Sequence, residues 1–176
     1  MRNSNYDKKP NVSVEGELIR GWGKIVEIVN VRRQASLNRH FLCVIECYQG
    51  VYMDELEAHL SFMHFDRILK ADSLYKSEEE IRRMTQPWVT DDRIFGRRAP
   101  FTYQNYFDAD KLLQARAEIA DCKCSVLVYG HGAGFVCQQS DLIIYIDMAR
   151  WEIQQRFRRN EINSLGICDK DEEASR

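Results

Sequence analysis

Apolar residues in this chain come in short blocks that switch between two periods. Residues 40–48 (HFLCVIECY) form a continuous apolar run, as expected for a central strand buried on both faces. Residues 65–71, 125–129 (SVLVY) and 142–147 (LIIYID) read as further strands, and residues 12–15 as a short one. Helical spacing lies between them. Residues 21–34 place Trp22, Ile25, Val26 and Val29 on one face, and residues 52–63 do the same with Met53, Leu56 and Leu60. Residues 77–84 open with Ser77 and Glu80, the spacing of a capping box, and Pro87 limits the helix. Residues 108–120 are helical. Residues 149–163 predict a strongly charged helix with Trp151, Ile153 and Phe157 on its buried side. Residues 35–39 form a loop, and residues 90–106 read as a long irregular loop or lid.

Helices alternating with apolar strands predict an α/β fold: a three-layer, mainly parallel sheet with helices on both faces. The expected organisation is one domain over residues 1–168 and a polar, frayed tail over 169–176. In such sheets ligands bind beyond the carboxyl ends of the strands. The candidate site is then bounded by residues 46–51, Asp72, residues 131–134 and residues 147–150. No internal repeat or low-complexity segment interrupts the pattern.

Composition narrows the picture. A chain of 176 residues with 44% hydrophobic content suits one packed domain. A net charge of −2 argues against a dedicated nucleic-acid binder. The start has no apolar core for a signal peptide, and no run reaches membrane-span length, so a cytoplasmic protein without membrane partners is expected. The six cysteines are expected to be reduced and mostly buried thiols. Cys122-Lys-Cys124 lacks a second pair at zinc spacing. No metal or cofactor is expected.

The loop after the first core strand should carry any phosphate grip. A working phosphate loop has glycines that free backbone N–H groups, a lysine for charge and a hydroxyl for magnesium. Here the chain reads Glu46-Cys47-Tyr48-Gln49-Gly50-Val51, with one glycine, no lysine and no hydroxyl of serine or threonine. Gln49 and Gly50 remain candidate ligand contacts, while Glu46 would repel phosphate. Gly130, Gly132 and Gly134 with His131 form a G-x-G-x-G turn that either simply reverses the chain or cups an anion. Arg150, Arg156 and Arg159 could clamp a phosphate, with Arg97 and Arg98 closing from the long loop, or could line a solvated helix face. Asp91 and Asp92 could order that loop. Glu46 and Asp72 could serve as acid and base or pair with arginines. Cys47 has no histidine dedicated to it as a nucleophile would need.

The run Asp141-Leu-Ile-Ile-Tyr-Ile-Asp147 followed by Arg150, Arg156, Arg158 and Arg159 resembles uridine kinases, where such a helix closes over the nucleotide. A wider resemblance covers nearly the whole chain. Its motifs are Ser4-Asn-Tyr-Asp-Lys8, IECYQGV at 45–51, KSEEEI at 76–81, TDDRIFG at 90–96, YGHGAG at 129–134, DMARWEI at 147–153 with Arg158-Arg-Asn160, and NSLG at 163–166. Together they resemble the amino-terminal, kinase-like domain of Bacteroidetes-type homologues of class I mannose-6-phosphate isomerase. The resemblance implies a P-loop nucleoside-kinase-like fold with a degenerate phosphate loop. It implies that sugar isomerisation belongs to a following zinc cupin domain, a prospective partner. His40, His59, His64 and His131 offer no cupin metal pattern. The expectation is a non-catalytic domain that binds a sugar phosphate or nucleotide, or packs against an isomerase domain. The alternatives are an atypical phosphotransferase and the accessory part of a mannose-6-phosphate isomerase.

Overall fold

The structure, a computed structural model, describes residues 11–13, 15–36, 40–89 and 97–172. Four strands form one parallel sheet: β1 (Phe41–Cys47), β2 (Arg67–Lys70), β3 (Ser125–Gly130) and β4 (Leu142–Ile146), in the order β2-β3-β1-β4. The expected α/β class, with its parallel sheet, is present. β1 lies between β3 and β4, which explains its apolar run: both faces are covered, and Cys43 and Val44 are fully buried.

The pleat divides the core in two. Phe41, Cys43, Ile45 and Cys47 of β1, with Leu127 and Tyr129 of β3, face α1 (Trp22–Ala35) and α2 (Met53–Leu60) through Val29, Leu56 and Leu60. Leu42 and Val44, with Val126 and Val128, face the opposite layer. That layer holds α3 (Glu78–Thr85), the single turn α4 (Tyr103–Tyr106), α5 (Ala109–Asp121) and the short α6 (Ala133–Val136). The last helix, α7 (Arg150–Arg158), buries Ile153 against Gly50, where a Cβ would stand 3.0 Å from the Ile153 side chain.

Local chemistry sets several boundaries. Ser77 and Glu80 form the capping box expected for α3. Asp108 caps α5 by accepting from the Asp110 and Lys111 N–H groups. Asp66 anchors the amino end of β3, accepting from the Ser125 N–H at 2.8 Å and its hydroxyl at 2.6 Å. Asp141 does the same for β1, accepting from the Leu42 N–H while its own N–H donates to Leu42 O.

Five expectations need correction, the first being Trp151, which was expected on the buried side of the last helix and is 68% exposed. Residues 12, 13 and 15 form no strand; Val12 is 84% exposed, so no neighbour supplies ladder bonds. The helix expected over 52–63 ends at Leu60 and tightens into a 3-10 turn, with His64 left-handed at φ 53°. The helix expected to reach 163 ends at Arg158, where left-handed Asn160 turns the chain back and Glu161 N–H donates to Arg156 O. The tail expected to fray is tied down through residue 172: Glu172 pairs with Arg82 at 2.7 Å, and Asp169 accepts from the Ser164 N–H. Within the long loop, residues 90–96, with Asp91 and Asp92, lie outside the described residues, and Thr102 caps α4.

Leu127 lies at 0% exposure in the middle of β3. Leu127→Ala is expected to cost about 2–5 kcal/mol of stability through lost transfer energy and the cavity left behind. Urea unfolding checks this: the midpoint should fall with an unchanged slope.

Candidate functional site

The topology locates a crevice. After β1 the chain crosses to β2 through α2 on one face. After β3 it crosses to β4 through α6 on the other. β1 and β3 are neighbours, so their following loops diverge and open a gap beyond their carboxyl ends. A cleft of about 520 Å³ lies there, a size that suits a small molecule. Residues 49–54 form one wall, Lys70, Asp72 and His131 the floor, and residues 161–168 with Lys170 the other wall.

Beside the cleft the glycine turn is already filled. Register places Glu46 opposite Gly130. The Glu46 carboxylate accepts from Gly132 N–H at 2.8 Å and from Gly134 N–H at 2.6 Å. The donors expected to cup an outside anion thus hold the chain's own carboxylate. The turn demands glycine twice. Gly130 has φ +111° and a Cβ there would stand 2.9 Å from Asp72 Oδ1; Gly132 has φ +81° and a Cβ would meet the Phe107 ring at 3.0 Å. Tyr103 packs against the same turn, and burial pushes its hydroxyl up to about 12.

Asp72 completes the arrangement. It accepts from the His131 N–H at 3.2 Å and lies 3.6 Å from His131 Nδ1. Tyr75 donates its hydroxyl to His131 O, and burial raises that hydroxyl's pKa well above the ordinary tyrosine range. His131 is 9% exposed, and its Nε2 is buried with no hydrogen-bond partner.

Several expected site residues meet here, and others do not. Gln49, Gly50, Asp72 and His131 line the cleft, and Gln49 Nε2 donates to Asn163 O. Glu46, Gly130 and Gly132 form the turn behind it. Arg156 donates to Gly50 O and Glu152, and its guanidinium lies 3.6 Å from the Tyr52 ring centre. Arg159 pairs with Glu152 and Glu161. The Arg159 guanidinium, with the Tyr52 hydroxyl, lowers the Glu161 carboxyl to about 2. Arg97 and Arg150 are exposed and do not line the cleft.

Lys70, Asp54, Glu161, Asn163 and Lys170 also line the cleft and were not expected there. Lys70 had a usable signal, two residues before Asp72 at a strand's end. It pairs with Glu57 at 2.7 Å, and Glu57 also accepts from the Tyr129 hydroxyl. The wall at 161–168 had none, because its first residues, 161–163, were expected to continue the helix.

The cysteines depart from expectation at one place. Cys43, Cys47 and Cys137 are free and buried, and burial pushes Cys43 and Cys47 up to about 12 and Cys137 to about 11. Cys168 is free and exposed. Cys122 and Cys124, expected as thiols, are joined in a disulfide, since the turn from α5 into β3 brings their Cα atoms to 5.4 Å. Among the described residues no three His, Cys, Asp or Glu side chains converge as a metal site.

No helix among the described residues is long and apolar enough to cross a membrane. A protein family described as a domain of unknown function (DUF8485) matches residues 21–176. No curated protein and no solved structure matches the chain.

Glu46→Ala strips two N–H groups of their acceptor. It is expected to cost about 1–3 kcal/mol, read by chemical denaturation. The emptied turn should also gain affinity for anions, so millimolar inorganic phosphate should raise the melting temperature of the variant more than that of the parent.

Proposed function

The chain belongs to that family, DUF8485, and we propose that it is a non-catalytic, nucleoside-kinase-like domain that binds a sugar phosphate in the cleft at the carboxyl edge of its sheet. The observation that carries this reading is Glu46, whose carboxylate fills the glycine turn while an open cleft remains beside it. A phosphoryl-transfer site needs its backbone donors and cations free for the transferring phosphate. Here the turn's donors are taken, the 46–51 loop has no lysine, and Arg156 and Arg159 are committed to carboxylates and a backbone carbonyl.

The cleft's chemistry favours a sugar phosphate over a nucleotide. Lys170 supplies positive charge for a phosphate, and Lys70 adds to it while shared with Glu57. Asp54, Asp72 and Glu161 offer acceptors for hydroxyl groups, and Gln49, Asn163 and Ser164 add polar contacts. The aromatic ring on this wall, Tyr52, already carries the Arg156 guanidinium on one face, 3.6 Å from its centre, which leaves less ring for a base to stack on. A second reading, packing against an isomerase domain, is favoured by β4, where Ile143 and Tyr145 stand 64% and 56% exposed on one face.

Thermal shift tests the leading reading. A hexose phosphate at about 100 times its Kd should stabilise by about 2.7 kcal/mol, and so raise the melting temperature by roughly 5–10 °C. Lys70→Met and Asp72→Asn should abolish that rise. ATP with magnesium should give none, and the chain alone should show no isomerase turnover with zinc. Transfer of a γ-phosphate, or silence across sugar phosphates, would sink the proposal.

A further inference from the structure

The Cys122–Cys124 disulfide lies at the opposite edge of the sheet from the cleft, where α5 ends and β3 begins. It spans two positions of sequence. A disulfide stabilises a fold by restricting the unfolded chain, and this restriction grows with loop length, so a three-residue loop makes a poor staple. The neighbouring structure has other supports. Asp66 grips Ser125 through both its N–H and hydroxyl, and β3 is bonded to strands on both sides. The bond is therefore not what holds this corner together.

Its surroundings suit exchange instead. Cys122 and Cys124 are half-buried at the margin of the core, and Lys123 between them is exposed, so the pair lies where the core meets the surface. His40 Nδ1 lies 2.8 Å from Cys122 O, which steadies the turn from the facing strand's entry. When the bond opens, the two thiols stay neighbours along the chain, so closure needs no search. The chain is not a disulfide scaffold: among the described residues the remaining four cysteines are free, three of them buried with raised thiol pKa values.

We propose that Cys122 and Cys124 form a thiol–disulfide exchange site whose co-reactant is a dithiol. A thiolate of the incoming dithiol attacks one of the two sulfurs. The Cys122–Cys124 bond breaks, a mixed disulfide forms, and the released cysteine takes up a proton. The second thiol of the dithiol then attacks the mixed disulfide, closes its own ring and frees the other cysteine as a thiol. Two electrons and two protons pass to the protein, and the dithiol leaves as its disulfide. The reverse reaction restores the pair.

The test uses the full chain with Cys168→Ser, which removes the other exposed thiol. Native protein is alkylated and mapped by mass spectrometry before and after millimolar dithiothreitol, then again after the reductant is removed and glutathione disulfide is added. Cys122 and Cys124 should be unlabelled at first, both labelled after reduction without denaturant, and protected again on reoxidation, with the cooperative melting transition retained throughout. Adding Cys122→Ser should leave a Cys124 thiol that captures one glutathione from glutathione disulfide. Labelling of both cysteines before reduction would overturn the proposal. So would reduction only in denaturant, loss of the melting transition on reduction, or failure of Cys124 to capture glutathione.

Discussion

The Glu46 carboxylate, held by the N–H groups of Gly132 and Gly134, is the interaction around which the functional edge of this protein is arranged. Sheet register puts Glu46 opposite Gly130, so its side chain leaves β1 where β3 ends and the chain must turn. A carboxylate accepts two N–H donors more strongly than a neutral acceptor does. The turn therefore closes on the strand beside it rather than on solvent. Tyr103 and Phe107 pack over Gly132, and Asp72 closes in on Gly130 and the His131 N–H. The same contact keeps the turn's donors from an outside anion and leaves the open cleft on its other side.

Around that cleft, several charged groups are already matched to one another. Lys70 pairs with Glu57, Arg156 lies on Tyr52 and bonds Gly50 O, and Arg159 bridges Glu152 and Glu161. Such a network holds the walls in one arrangement through mutually satisfied partners. His131 is the exception. It is buried beside Asp72, and its Nε2 has no partner. A buried polar atom left unmatched carries a desolvation cost that a bound group could relieve.

Much of the fold was legible in the sequence because burial writes a strong pattern. The run from Phe41 to Cys47 is apolar because both its faces are covered, and Ser77 with Glu80 marked a helix start through two local hydrogen bonds. The failures share a cause. Val12 sits in a strand-like segment that meets no partner strand, and α7 stops early because Asn160 turns left-handed to send residues 161–168 back over the sheet edge. Neither outcome follows from local periodicity, since each depends on what the segment meets in space.

The same division applies to the site. By itself the sequence determined that the 46–51 loop has lost lysine and hydroxyl, and that Glu46, Asp72, His131 and the glycines sit at strand ends. Those are statements of residue type and period. Only the tertiary structure decided that Glu46 fills the glycine turn, that Arg156 and Arg159 are spent on internal partners, that Arg97 and Arg150 stand apart, and that Cys122 bonds Cys124. Hydrogen bonds and ion pairs reach only a few ångströms. Which side chains come within that reach is set by register and chain reversal, not by the order of residues alone.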